Sequence, residues 1–244
     1  MHPLIPSPKP RALTRLALAW LVAVAVAACL PPLPPLLAAE PRFEKDIRAF
    51  IEADKARPPA PGGILFVGSS IFREWSHVAD AMAPLPVVNR AFGGSRTGDQ
   101  LDRFDAVVSP HAPRVVVYYC GSNDLKAGHD PEAIFTRFKA FSDRLAHDFP
   151  SARLLYVAAT RSPDRVPLWD RVDHYNALVR AHCRDTALRQ FIDINPALVD
   201  AAGCPRTDLY RDDKLHFHPH AYDAFAAVIR PALEAAWKDA NARP

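Results

Sequence analysis

The sequence predicts an α/β fold, a three-layer α/β/α sandwich around a five-stranded parallel sheet, and three observations predict it. Five short segments, 64–67, 87–90, 115–120, 154–158 and 191–194, have the length and apolar character of strands. Most are continuous runs and do not alternate apolar with polar, which is how strands covered on both faces read. Helical patterns lie between them, so strand and helix alternate as a doubly covered parallel sheet requires. The length fits one globular domain of about 200 residues plus an N-terminal extension, enough to bury a core without disulfides or metals as staples.

Taken in order, Phe43, Ile47, Phe50 and Ile51 repeat at helical spacing and predict an entry helix before Pro58. The run 64–67 ends in Gly68-Ser69-Ser70, a strand, a tight turn and then a hydroxyl. Open α/β sheets place their ligands at this carboxyl end, and a helix from Ile71 would aim its N–H groups there. A helix is expected over 99–108. Asp130-Pro131-Glu132 is a start signal, a capping aspartate followed by proline at the first helical position. Its helix carries Ile134, Phe135, Phe138, Phe141 and Leu145 on one face and stops before Pro150. Further helices are expected over 173–184 and 219–240. The runs 161–171 and 206–211 read as solvated loops, and Trp169, Tyr210 and Phe217 are placed by position at a pocket rim.

The net charge of +3 is local. Lys9, Arg11 and Arg15 are the only charges before Glu40, and the remainder holds 27 basic and 27 acidic residues. No basic stripe suited to phosphates is present, so nucleic acid is not an expected partner. Residues 1–28 read as a signal peptide: a basic start, then an uncharged run over 16–28 that is short for a membrane span. Val26-Ala27-Ala28-Cys29 resembles the bacterial lipoprotein signal, which implies lipidation at Cys29; cleavage after Ala39 and an uncut anchor stay open. Residues 29–41 are a Pro-rich tether, extended at about 3 Å per residue. The domain is 42–244. The expectation is export to the periplasmic side of a bacterial envelope, with the membrane reached through the N-terminal lipid or signal anchor. Cys120 ends a strand as a buried thiol, and a Cys183–Cys204 bridge stays open.

Four ordered blocks carry the chemistry: Phe66-Val67-Gly68-Ser69-Ser70, Asn89 through Ser95 with Gly93-Gly94, Tyr119 through Asp124, and Asp213-Lys214-Leu215-His216. Each alone has a plain reading as a cap or a turn. Neither serine has Glu or Gln three residues on, so no capping box explains the pair. Together, over about 64–222, the blocks resemble the SGNH (GDSL-type) hydrolases, most closely their platelet-activating-factor-acetylhydrolase-like branch. Ser69 stands where that family usually has aspartate, and Ala221 where it usually has glycine. The resemblance implies a flavodoxin-like strand order, Ser70 as nucleophile, and Asp213 with His216 completing a triad. It also implies an oxyanion hole from the N–H groups of Ser70 and Gly94 and the Asn123 amide. Asp-x-x-His spacing puts carboxylate and imidazole on one local turn, leaving the second ring nitrogen for a serine.

The implied activity is hydrolysis of a carboxylic ester on a small molecule or glycan: a short-acyl ester, an acetylated carbohydrate or a lysophospholipid. No cofactor and no metal are expected. His216, His218 and His220 also suggest a zinc set, but Pro219 interrupts a strand there. An envelope carbohydrate O-acyltransferase using the same residues, and a catalytically silent tethered binding module, stay open.

Overall fold

The computed structural model describes residues 41–242. The expected signal peptide, Cys29 and all of the tether before Pro41 lie outside the described residues. Five parallel strands form one sheet: β1 (Ile64–Gly68), β2 (Val87–Asn89), β3 (Val115–Tyr119), β4 (Arg153–Val157) and β5 (Arg189–Ile192), in the order β2-β1-β3-β4-β5. This is the doubly wound, flavodoxin-like order, whose ligand crevice opens where the chain switches direction between β1 and β3.

The strand sequences explain the two helical layers. Ile64 and Phe66 of β1, with Val115, Val117 and Tyr119 of β3, face one core; Leu65 and Val67, with Val116, Tyr118 and Cys120, face the other. Alternate side chains point to opposite faces, so a strand apolar at every position must be covered twice. The first face is covered by the short α2 (Ser70–Arg73), by Trp75 just after it and by the terminal α9 (Ala221–Ala242), with Phe72, Tyr222, Phe225 and Ile229 contributed by the two helices. The second is covered by α7 (Pro131–Asp148) and α8 (Trp169–Cys183), with Phe138, Phe141, Tyr175 and Val179 buried. The entry helix α1 (Glu44–Ala56) adds Ile47 to that side. Four shorter helices, α3 (Val78–Ala81), α4 (Thr97–Asp102), α5 (Phe104–Val107) and α6 (Ser122–Lys126), fill the connections.

Several boundaries differ from expectation. Strand β5 begins at Arg189 and stops at Ile192. It is an edge strand in which Arg189 is partly buried and Gln190 exposed, so these polar residues belong to it, and Asp193 ends it by accepting the Asn195 N–H at 3.1 Å. The helix expected over 99–108 is broken at Arg103, which leaves helical geometry (φ −99°, ψ 9°), and starts early because Asp99 accepts the Arg96 N–H at 2.8 Å. Helix α8 starts at Trp169, four residues before expectation. Cys120, Cys183 and Cys204 are free thiols, so the described residues hold no Cys183–Cys204 bridge. Among the described residues no helix is long and apolar enough to cross a membrane.

Candidate active site

The turn that carries the candidate nucleophile Ser70 is built on a glycine. Gly68 has φ +148°, and a Cβ there would lie 2.0 Å from the Tyr119 carbonyl oxygen. The close approach lets the Ser69 N–H donate to Tyr119 O at 3.0 Å, bracing the β1 exit against β3. Ser70 then opens α2, whose position is fixed by the Tyr222 hydroxyl donating to Ile71 O at 2.8 Å and by Trp75 stacking on Tyr222.

The turn before α9 faces it. His216 Nε2 lies 2.9 Å from Ser70 Oγ, and His216 Nδ1 lies 2.6 Å from Asp213 Oδ2. The other oxygen of Asp213 accepts the backbone N–H groups of Leu215 (3.0 Å) and His216 (2.9 Å), so one carboxylate shapes the turn and holds the ring. Desolvation pushes the Asp213 carboxyl up, but these three hydrogen bonds together outweigh it and hold the group down at about 2.

The candidate oxyanion donors converge from two further strand ends. Gly94, with φ +76°, follows β2; Asn123 follows β3 in α6. Asn123 donates one amide hydrogen to Ser95 O at 3.1 Å, which leaves the second available. Behind them lies a polar lattice that the sequence did not reveal. Gln100, buried, donates to Gly68 O (3.0 Å) and to Ser95 Oγ (2.8 Å), while Ser95 Oγ donates to Gly68 O at 3.2 Å. Buried Asp124 accepts from the Thr97 N–H at 3.0 Å and the Thr97 hydroxyl at 2.8 Å. Burial raises the Asp124 carboxyl, and the Thr97 hydrogen bonds oppose the rise. These contacts join the loops after β1, β2 and β3 into one rigid unit.

Glu74 was also missed. Its Oε1 stands 3.9 Å from His216 Nε2, and Arg73 (3.0 Å) and Arg211 (3.0 Å) flank its two oxygens. Arg211 meets the buried Oε2 at ion-pair distance without hydrogen-bond alignment, so that oxygen has an ion-pair partner but no hydrogen bond. Arg73 lies against Gly93, where a Cβ would come within 2.6 Å of its guanidinium carbon.

Other expected roles are corrected. Tyr210 and Phe217 are buried in the core rather than exposed at a rim, with their rings packed 4.7 Å apart. Trp169 lines a cavity of ≈490 Å³ with Arg161, Asp173 and Asn195, which neither Ser70 nor His216 lines. The segment 161–171 is only partly solvated, since Ser162 and Arg165 are buried. His218 and His220 are exposed with rings stacked 5.7 Å apart, while His216 turns to Ser70. Among the described residues no group of three or more His, Cys, Asp or Glu is placed to hold a metal ion.

The sequence profile of the GDSL-like Lipase/Acylhydrolase family matches residues 63–224, a span that takes in all four blocks. The chain belongs to this family. It is an SGNH-type ester hydrolase by that membership. No curated protein gives a significant sequence match. Solved structures share the fold. A protein from Streptococcus pneumonia provisionally named a platelet activating factor superposes with TM-score 0.69 at 17% identity, covering 92% of this chain and 100% of its own. A GDSL-like lipase from Bacteroides thetaiotaomicron gives 0.66 at 18% identity, covering 78% and 98%. An acetylxylan esterase from Geobacillus stearothermophilus gives 0.54 at 16%, covering 70% and 93%.

Proposed function

We propose that this GDSL-family protein is a serine esterase that cleaves a short-acyl carboxylic ester, an acetylated carbohydrate foremost, through an acyl-enzyme on Ser70. One observation carries the reading: the continuous relay from Ser70 Oγ through His216 to Asp213, at 2.9 and 2.6 Å. His216 takes the Ser70 proton as the oxygen attacks the ester carbonyl. The tetrahedral oxyanion is held by the N–H groups of Ser70 and Gly94 and by the free Asn123 amide hydrogen. His216 then gives the proton to the leaving alkoxide, and a water repeats the cycle on the acyl-enzyme. Each fixed donor of this kind is worth about 3–4 kcal/mol in the transition state. The fold shared with an acetylxylan esterase favours acetylated sugars in the first assays.

The test is hydrolysis of p-nitrophenyl esters of increasing acyl length beside acetylated xylooligosaccharides, with fluorophosphonate labelling mapped by mass spectrometry. Labelling on Ser70 with turnover of acetyl esters is expected. A chain that neither labels nor hydrolyses any ester would sink the proposal, and turnover seen only with a sugar acceptor would make it an acyltransferase.

The export reading joins this proposal on sequence grounds: a periplasmic domain tethered through lipidated Cys29. Several acyl chains anchor stably where one binds only marginally. Cys29→Ser should then block processing at that site and change the protein's gel mobility or fractionation. Unchanged processing, with the mature terminus after Ala39, would instead make the enzyme freely soluble.

A further inference from the structure

The segment between β4 and α8, read from sequence as solvated, buries a guanidinium. Arg165 is 5% exposed. Its Nη1 donates to Ser122 O at 2.8 Å and to Ser122 Oγ, while its Nε is buried without a hydrogen-bond partner. The nearest carboxylate, Asp164, stands 3.7 Å from Nε and is more than a third exposed. A buried charge without a tightly paired counter-ion is costly, and nothing in the apolar packing of this fold calls for one here.

The partners of Arg165 suggest what it does. Ser122 immediately precedes Asn123, and α6 is only five residues long, too short to fix its own orientation. The Asn123 amide is held on one side by Ser95 O; Arg165 grips the chain on the other, at the carbonyl joined to the Asn123 nitrogen. The same segment reaches the base. The Asp164 N–H donates to Lys214 O at 3.1 Å, inside the Asp213–His216 turn, where Lys214 takes the left-handed conformation (φ 55°). The segment is itself pinned: Ser162 O accepts the Arg165 N–H and the Trp169 indole N–H, both at 3.0 Å.

We propose that Arg165 is a positioning residue for the oxyanion hole, which sets the Asn123 amide through Ser122 and ties it to the turn that carries His216. The inference rests on the esterase reading. Arg165 has no role in proton transfer, and its action passes through Asn123. A misplacement of about 1 Å in such a donor can cost a hundredfold in rate.

A double-mutant cycle tests this, with p-nitrophenyl acetate turnover and the rate of fluorophosphonate labelling as parallel readouts. Arg165→Lys should lower kcat about 10- to 100-fold, leave KM within about threefold, and leave the acid limb of the pH profile in place. In an Asn123→Ala background the same change should add almost nothing. Losses that multiply, a change confined to KM, or wild-type turnover in Arg165→Lys would overturn the proposal. If Arg165→Lys does not fold, Ser122→Ala removes one acceptor and keeps the carbonyl; a smaller loss that vanishes in Asn123→Ala is expected, and a loss that persists there rejects the inference. Wild-type protein that neither hydrolyses nor labels would instead defeat the esterase reading itself, whereas an active wild type with multiplying losses defeats only the role of Arg165.

Discussion

Ser69 and Ser70 carry the same hydroxyl on adjacent residues, yet only Ser70 reaches His216, at 2.9 Å. Ser70→Ala should therefore reduce kcat about 10⁵-fold or more, while Ser69→Ala stays within about tenfold of wild type. Comparable losses in both, measured on one acetyl ester, would place the nucleophile elsewhere. Asp213 sets a second expectation. Its carboxyl is held down at about 2, so its contribution to the fold is present above the ordinary carboxylate range near 4 and fades as pH falls through about 2. Because Asp213 is half exposed, that contribution is small and screened. Because Asp213 stays ionised down to about pH 2, log kcat/KM should fall between neutrality and about pH 4 with a slope of one, that of a single catalytic base. A slope of two would mean that Asp213 titrates with it. Asp213→Asn should keep the turn yet lose about 10⁴ in kcat, because the ring loses its orienting anion.

At the scale of elements, the site depends on strand exits that admit no side chain. A Cβ at Gly121 would sit 2.3 Å from the Tyr175 ring, on a backbone at φ +125°. Gly121→Ala should destabilise the protein by about 2–4 kcal/mol, read from the urea midpoint. It should also slow turnover by displacing α6; unchanged stability would show that Tyr175 yields freely. The central strands β1 and β3 and the four blocks were legible because each is a local pattern: an apolar run followed by a glycine turn in the first three blocks, and the Asp-x-x-His spacing of Asp213 and His216 in the fourth. Gln100 and Arg165 were not. A glutamine inside a helix and an arginine in a loop look solvated unless their partners are known, and those partners, Gly68 and Ser122, are 32 and 43 residues away in the chain. Strand β5 was misplaced for the opposite reason: an edge strand tolerates polar residues that a search for continuous apolar runs discards.

For the whole molecule, the parallel sheet followed from alternation of strand and helix, its strand order from family resemblance, and the two-faced core from strands apolar at every position. Tyr210 and Phe217 were placed at a rim by position alone, but Phe217 packs on Tyr222 and Phe225, and Tyr210 packs on Phe217, which draws both inward. That cluster links the site to α9. Phe225→Ala should cost about 3–5 kcal/mol. Across a urea titration, Ser70 labelling and global unfolding should disappear at one midpoint; labelling that outlasts the fold would show that the site does not depend on α9.

The contact between Ser70 and His216 spans 146 residues of chain. Strand β1, the nucleophile turn and both glycine loops emerge early in synthesis, long before the histidine exists. Until the closing segment arrives and α9 docks, the serine is an ordinary alcohol with no base to activate it. The order of the sequence thus acts as a timer, and a chain exported as proposed above would stay chemically silent until its last stretch has followed.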